Sequence, residues 1–270
     1  MEKSSRLTLA DYRAIHRLVG ECRELGDDVT CWQQHLIEVL AGLTGGSIGF
    51  VGEMEGFRSK RPKHLSQAEW GWSCESDRAG YFAGFADYVR NPESYETERV
   101  CRRWFLVEDG ISLSRTQLFD DRRWEATKEF QDIFRPLGAR NALWCNRSIP
   151  GAAGDFSLGI HLMRAGRPRD FNARERAVVY ETQAALAPLV GGPLAQVCDP
   201  SPAALPPQAR RVLQCLLEGD GDKQIAARMK LSRYTVNQYM KVVFRHFRVR
   251  SRAELMARWI RRGWSVRSIP

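Results

Sequence analysis

Near the C-terminus, Tyr234, Gln238, Lys241, Arg245 and Arg248 recur every three or four residues, with Asn237 beside them. Helical spacing of that kind puts them on one face. No Asp or Glu occurs from Leu231 through Arg252. A solvated helix normally mixes both charge signs to gain i,i+4 pairs. A face of amides, cations and one aromatic ring, free of acids over about 20 residues, suits contact with phosphates.

Other candidate chemistry is weaker. Residues 45–49 read GGSIG and match the G-x-S-x-G form of a nucleophile elbow around Ser47. That elbow needs a strand before it and a helix after it. Here a helical pattern precedes and a strand pattern follows, so a Gly-rich helix-to-strand turn is expected and no catalytic residue is assigned. The histidines at 16, 35, 64, 161 and 246 show no metal-ligand spacing, and no metal or cofactor is expected. The cysteines at 22, 31, 74, 101, 145, 198 and 215 are odd in number, scattered and without C-x-x-C, which points to reduced structural thiols. Trp70, Trp72, Tyr81, Phe82, Phe85 and Tyr88 are expected to pack in a core rather than line a ligand pocket.

The elements that must position the basic face are legible around it. Val236, Met240, Val243, Phe244 and Phe247 make a stripe at i, i+4, i+7, i+8 and i+11, the buried side of the same helix. Ser232 suits its N-cap. A three-residue turn, residues 230–232, separates it from a short helix with Ile225, Ala226 and Met229 inward and Asp222 as cap. Before that, Pro207 suits the first turn of a helix through Leu217, with Ala209, Val212, Leu213, Leu216 and Leu217 on one face. Ser251 and Glu254 read as the capping box of a fourth helix through about Arg262. Short helix, tight turn and longer polar-faced helix is helix-turn-helix geometry.

Over its whole length this segment resembles the LuxR-type (FixJ- or GerE-type) helix-turn-helix domain. The matching features are Leu205, Val212-Leu213, Glu218-Gly219, Lys223 with Ile225-Ala226, Leu231-Ser232, Thr235-Val236 and Val249-x-Ser251-Arg252. The resemblance implies that Asn237, Gln238 and Lys241 face base edges. Asn and Gln suit the adenine N6/N7 edge, and Lys suits guanine acceptors. It also implies phosphate contacts from Lys223, Ser232, Arg233, Tyr234, Thr235, Arg245, Arg250 and Arg252. There are departures. Leu205-Pro206-Pro207-Gln208-Ala209 replaces the common L-T-x-R-E opening, Lys230 stands where the turn often has Gly, and Asn237 replaces a commonly basic residue.

The chain has 270 residues and a net charge of +9. From residue 201 onward 15 Lys and Arg face 4 Asp and Glu, whereas the preceding residues hold 26 against 28. The excess positive charge therefore sits in the last quarter, as expected of a segment that meets a polyanion. Between about 190 and 207, two Gly and five Pro break regular structure. The expected domains are a sensor at 1–190, a linker at 191–204 and a DNA-binding domain at 205–265.

The N-terminal part reads as two helices, a strand over 47–54, two strands over 142–148 and 156–164 joined by a turn at 149–155, and a helix over 172–189. Asp28 or Thr30 is a candidate cap for the second helix, and Asn172 with Glu175 for the last. This order resembles a GAF- or PAS-like sensor, and residues 167–179 resemble the segment leading into the last helix of such domains. The acidic pocket of a phosphorelay receiver and the Trp and Asp pattern of acyl-homoserine-lactone receptors are not evident, so the signal, small molecule or protein, is open.

The expected fold class is α+β: an α/β sensor followed by an all-α four-helix helix-turn-helix domain. The expected protein is a cytoplasmic, non-enzymatic transcriptional regulator that binds double-stranded DNA as a homodimer. Leu255, Met256 and Trp259 offer a stripe either for the two-fold contact or for packing on the third helix. No apolar run approaches the roughly 20 residues of a membrane helix, and the N-terminus lacks the apolar core of a secretory signal. The alternatives are an enzyme with a hydrolase-like N-terminal domain tethered to a basic module, and a protein-interaction module.

Overall fold

Thr8 starts the first helix: its hydroxyl accepts the Asp11 N–H (3.2 Å), and the Asp11 carboxylate accepts the Thr8 N–H (2.8 Å). The computed structural model describes residues 7–59, 62–150, 155–166, 169–197, 199–200 and 202–262. Parts of four expected features lie outside these residues: the turn at 151–154, positions 167–168, linker residues 198 and 201, and 263–265 of the last domain. The chain forms two compact units, one within residues 1–25 and 30–190, the other within 26–29 and 191–270.

The first unit mixes helix and sheet. In chain order it holds α1 (Leu9–Glu24), α2 (Val29–Thr44), β1 (Ile48–Glu55), β2 (Lys63–His64), β3 (Ala68–Trp70), α3 (Glu75–Arg90), α4 (Glu96–Val107), β4 (Ser112–Ser114), α5 (Arg115–Leu118), α6 (Asp121–Glu125), a π-helical turn (Phe130–Phe134), β5 (Ala139–Ser148), β6 (Phe156–Ala165) and α7 (Ala173–Leu186). The sheet is antiparallel in the order β2-β1-β6-β5-β4, with β3 also on β1. α2 begins at Val29, so Asp28 precedes it and Thr30 lies inside it. Asn172 caps α7 and Glu175 completes the box, as its spacing requires.

Strand pairing sets the two faces. Phe50 lies opposite His161, and His161 opposite Trp144, so these three share one face. Gly49, one residue away, faces α2, where a Cβ would come within 2.7 Å of Ile37. Tyr81 of α3 stacks on Phe50 (ring centroids 4.4 Å) and Trp144 stacks on His161 (5.4 Å).

The second unit is all-helical: α8 (Pro207–Leu217), α9 (Asp222–Met229), α10 (Arg233–His246) and α11 (Arg252–Arg262). Its core contains Val212, Leu213, Leu216, Ile225, Val236, Val243, Phe247, Leu255 and Trp259. The expected stripe of the third helix is this core side, with Phe244 packed at its margin. Gly221, not Asp222, is the N-cap of α9; the Gln224 amide oxygen accepts its N–H (2.7 Å). Ser232 caps α10 by accepting the Thr235 N–H (3.0 Å). Within the Pro/Gly-rich stretch Leu194, Ala195 and Gln196 are buried, and the Ala195 N–H donates to the Gly26 carbonyl (2.6 Å).

α9 and α10 both end in a left-handed residue without being Gly. Lys230 has φ 56° and Arg248 φ 52°. After α9 the Leu231 N–H reaches the Ala226 carbonyl (2.9 Å); after α10 the Val249 N–H reaches that of Phe244 (2.9 Å). Both are Schellman closures, which need φ > 0 at the residue that turns the chain. Lys230→Gly should therefore raise stability by about 1 kcal/mol in chemical denaturation. A loss of stability would show that the Lys side chain contributes more than its strained backbone costs.

Candidate functional site

In the second unit, α9, the turn and the start of α10 put the polar residues on one surface. Ser232, Arg233, Tyr234, Asn237, Gln238, Lys241, Arg245, Arg248 and Arg250 are exposed, and Tyr234 keeps 74% of its surface free. Thr235 is half-buried, its hydroxyl hydrogen-bonded to that of Ser232 (2.8 Å). Lys223, on α9, is exposed as well. Among the described residues no carboxylate pairs with Lys223, Arg233, Lys241, Arg245 or Arg250; Arg228 pairs with Glu218 and Asp220, and Arg258 with Asp199. Amide groups near the start of an exposed helix, with a cation one turn later, match base-edge donors and acceptors in a major groove.

One expectation about this surface changes, and one open alternative narrows. The Arg252 guanidinium donates to the Asp220 carbonyl (2.7 Å) and to the Leu216 carbonyl (2.9 Å), closing the C-terminal end of α8. Arg252 is thus engaged within the unit, because a cation at a helix C-terminus meets unpaired carbonyls there. Leu255 and Trp259 are buried, Trp259 edge-on to Phe247 (5.8 Å), and Met256 packs against the same core. That stripe is consumed by core packing, and among the described side chains of α11 Ala253, Ala257 and Ile260, the last 75% free, are exposed apolar ones.

The first unit holds a partly open cavity of about 190 Å³. Its walls are the sheet (Phe50, Trp144, Asn146, His161), α3 (Tyr81, Phe85, Tyr88), α4 (Thr97, Glu98, Cys101, Arg102, Phe105), Glu129 and the π-helical turn (Ile133, Phe134). Tyr81, Phe85 and Tyr88, expected as core, are both core and cavity wall; Trp72 and Phe82 remain in the packing behind them. Apolar cavities of about 150 Å³ admit a benzene-sized molecule. The polar wall residues were not singled out from sequence, since they come from separated segments. Their signal was Asn146 and His161 standing at core-facing positions of β5 and β6, where alternation calls for apolar side chains.

The Ser47 hydroxyl accepts the Ala165 N–H (3.2 Å), and its N–H donates to Met163, so it belongs to the sheet margin. Among the described residues no group of three or more His, Cys, Asp and Glu is placed to hold a metal ion. Cys22, Cys101, Cys145 and Cys215 are buried free thiols, and burial pushes Cys22 and Cys145 up to about 12. Among the described residues no helix is long and apolar enough to cross a membrane.

Residues 203–259 match the family model described as bacterial regulatory proteins, luxR family. Among curated proteins no sequence matches the chain. Of solved structures, SdiA in complex with octanoyl-rac-glycerol is 14% identical, over 94% of this chain and 96% of that one, with a TM-score of 0.41. The N-acylhomoserine lactone dependent LuxR family transcription factor CepR2 from Burkholderia cenocepacia is 13% identical, over 66% and 94%, with a TM-score of 0.40. The VqsR LBD domain from Pseudomonas aeruginosa is 17% identical, over 64% and 95%, with a TM-score of 0.38. Residues 203–259 thus belong to the luxR family of bacterial regulatory proteins, and they make the chain a DNA-binding transcriptional regulator.

Proposed function

We propose that this regulator inserts α10 into the major groove of double-stranded DNA, with Asn237, Gln238 and Lys241 on base edges. Lys223, Ser232, Arg233, Tyr234, Thr235, Arg245 and Arg250 lie along the flanking phosphates, and Arg252 holds α8 in place beneath them. The observation that carries this is the exposed, acid-free face of α10 behind a short capped helix. The sensor unit spans 1–190 and receives a small organic signal in its aromatic cavity; residues 191–204 link it to the DNA-binding unit at 205–265. The protein works in the cytoplasm as a non-enzymatic homodimer, since two half-sites need two modules. Ala253, Ala257 and Ile260 form the exposed face of α11 that serves the two-fold contact.

The test is Lys241→Ala against a site selected from random DNA by the full chain. Specific binding should weaken by about 1–3 kcal/mol at fixed salt, with relaxed preference at one base pair. Unchanged affinity and preference would remove α10 from the groove. Ser47 lends no support to a hydrolase reading, because its hydroxyl accepts a strand N–H and its turn runs from helix into strand.

A further inference from the structure

Glu129 stands on the cavity wall just before the π-helical turn and is 4% exposed. One carboxyl oxygen accepts the Thr97 N–H at the start of α4. The other, Oε2, is buried and has no hydrogen-bond partner. No cation on the same wall answers it. Arg102 is spent on Glu98 (3.4 Å) and on the Phe57 carbonyl (3.2 Å). Lys128, its neighbour in sequence, is paired with Asp87. His64 and His161 are held below the usual imidazole range by burial, His161 down to about 3, so neither is a counter-cation near neutrality.

A buried carboxylate without a counter-charge costs several kcal/mol. Burial accordingly pushes the Glu129 carboxyl up. A cation placed against Oε2 offsets that cost and favours the ionised form. Oε2 is not alone: Thr97 Oγ1 and Asn146 Oδ1 are buried in the same cavity, also without partners. Among the described residues, Oε2 of the ionised carboxyl and Asn146 Oδ1 can only accept, while the orphan wall atoms able to donate are the Gln67 amide nitrogen, the Thr97 hydroxyl and, in one tautomer, His161 Nε2. The unpaired charge of Glu129 is what neutral wall donors do not answer, and a cationic N–H donor from a ligand does. The rest of the wall is aromatic, with Tyr81, Phe85, Phe105, Phe134 and Trp144 offering ring faces that attract a cation and pack an apolar body.

We infer that the cavity receives a small protonated amine, its N–H groups donated to Glu129 Oε2 and the neighbouring Asn146 and Thr97 oxygens, and its aryl or alkyl body held among the rings. This rests on the reading of the first unit as a signal-binding domain. It selects cationic ligands over neutral ones of equal shape, because only a cation both donates to the unpaired carboxylate and balances its charge.

The full chain is titrated calorimetrically at neutral pH with a homologous series of phenylalkylammonium ions and with the phenylalkanol and phenylalkanoate of each length. Ammonium ions should bind about tenfold or more tightly than the matching alcohols, and the carboxylates weakest, as expected for a charge-assisted hydrogen bond. Glu129→Gln should lower ammonium affinity by about tenfold or more and leave alcohol affinity within about twofold. Should Glu129→Gln fail to fold, Asn146→Leu makes the same comparison by removing a second acceptor. Alcohols binding as tightly as ammonium ions, or a preference unchanged in the variants, overturns the inference and leaves the signal cavity standing. Absence of binding by all three classes to folded protein overturns the signal cavity as well.

Discussion

Raising salt from 50 to 200 mM should weaken binding of this protein to its DNA site by about 10³-fold or more. Each cation set against a phosphate releases a condensed counterion, so affinity falls steeply with salt concentration. One copy offers Lys223, Arg233, Arg245 and Arg250 to phosphates, all exposed, and none has a carboxylate partner among the described residues. Two copies on a two-half-site operator reach the range of about 6–10 phosphate contacts. Arg252 and Arg258 are left out of that sum, because their guanidinium groups close the carbonyl ends of α8 and α10. Fluorescence anisotropy with labelled operator reads the slope. A flat dependence would favour a protein-interaction module, and a slope unchanged by Lys223→Ala would remove that lysine from the phosphate track.

Arg164→Ala should destabilise the first unit by about 3–5 kcal/mol. Its side chain is 5% exposed. Its guanidinium donates to the carbonyls of Gly45 (3.0 Å), Arg169 (2.9 Å), Asp170 (3.1 Å) and Thr44, pairs with Glu175 (3.0 Å) and lies 4.0 Å over the Phe171 ring. It thus ties the end of α2, the end of β6 and the N-terminus of α7 together. Removal leaves a buried carboxylate, and carbonyls that lose their donor, each costing desolvation without a partner. Glu175 keeps Arg169, but that side chain is 62% exposed and contributes little by itself. Arg164→Lys should not restore the loss, since an ammonium lacks the planar fork that reaches four carbonyls and a carboxylate. Urea unfolding followed by tryptophan fluorescence measures it; a loss under about 1 kcal/mol would show that the network is replaceable.

The second unit was readable because its determinants are local. The caps of α10 and α11, the stripe from Val236 to Phe247 and the acid-free outer face each lie within one or two turns of chain, where helix periodicity fixes the neighbours. The helix-turn-helix order followed from those same signals. In the first unit Asn172 and Glu175 were legible for the same reason, and the strands over 47–54, 142–148 and 156–164 fall on β1, β5 and β6.

What sequence by itself determined about this protein is therefore its class and its reader: an α+β chain whose last quarter is a basic helix-turn-helix module. Tertiary structure alone decided which polar groups remain available. Arg252 reaches the carbonyls at the end of α8, and Leu255 and Trp259 were spent on the core of the same unit. The cavity is the clearest case. Thr97, Glu129, Asn146 and His161 stand far apart in the chain and meet because β1, β6 and β5 pair antiparallel beneath α3 and α4. Side-chain type and local spacing cannot report that Glu129 is buried without a cation, since burial and pairing depend on segments that only folding brings together.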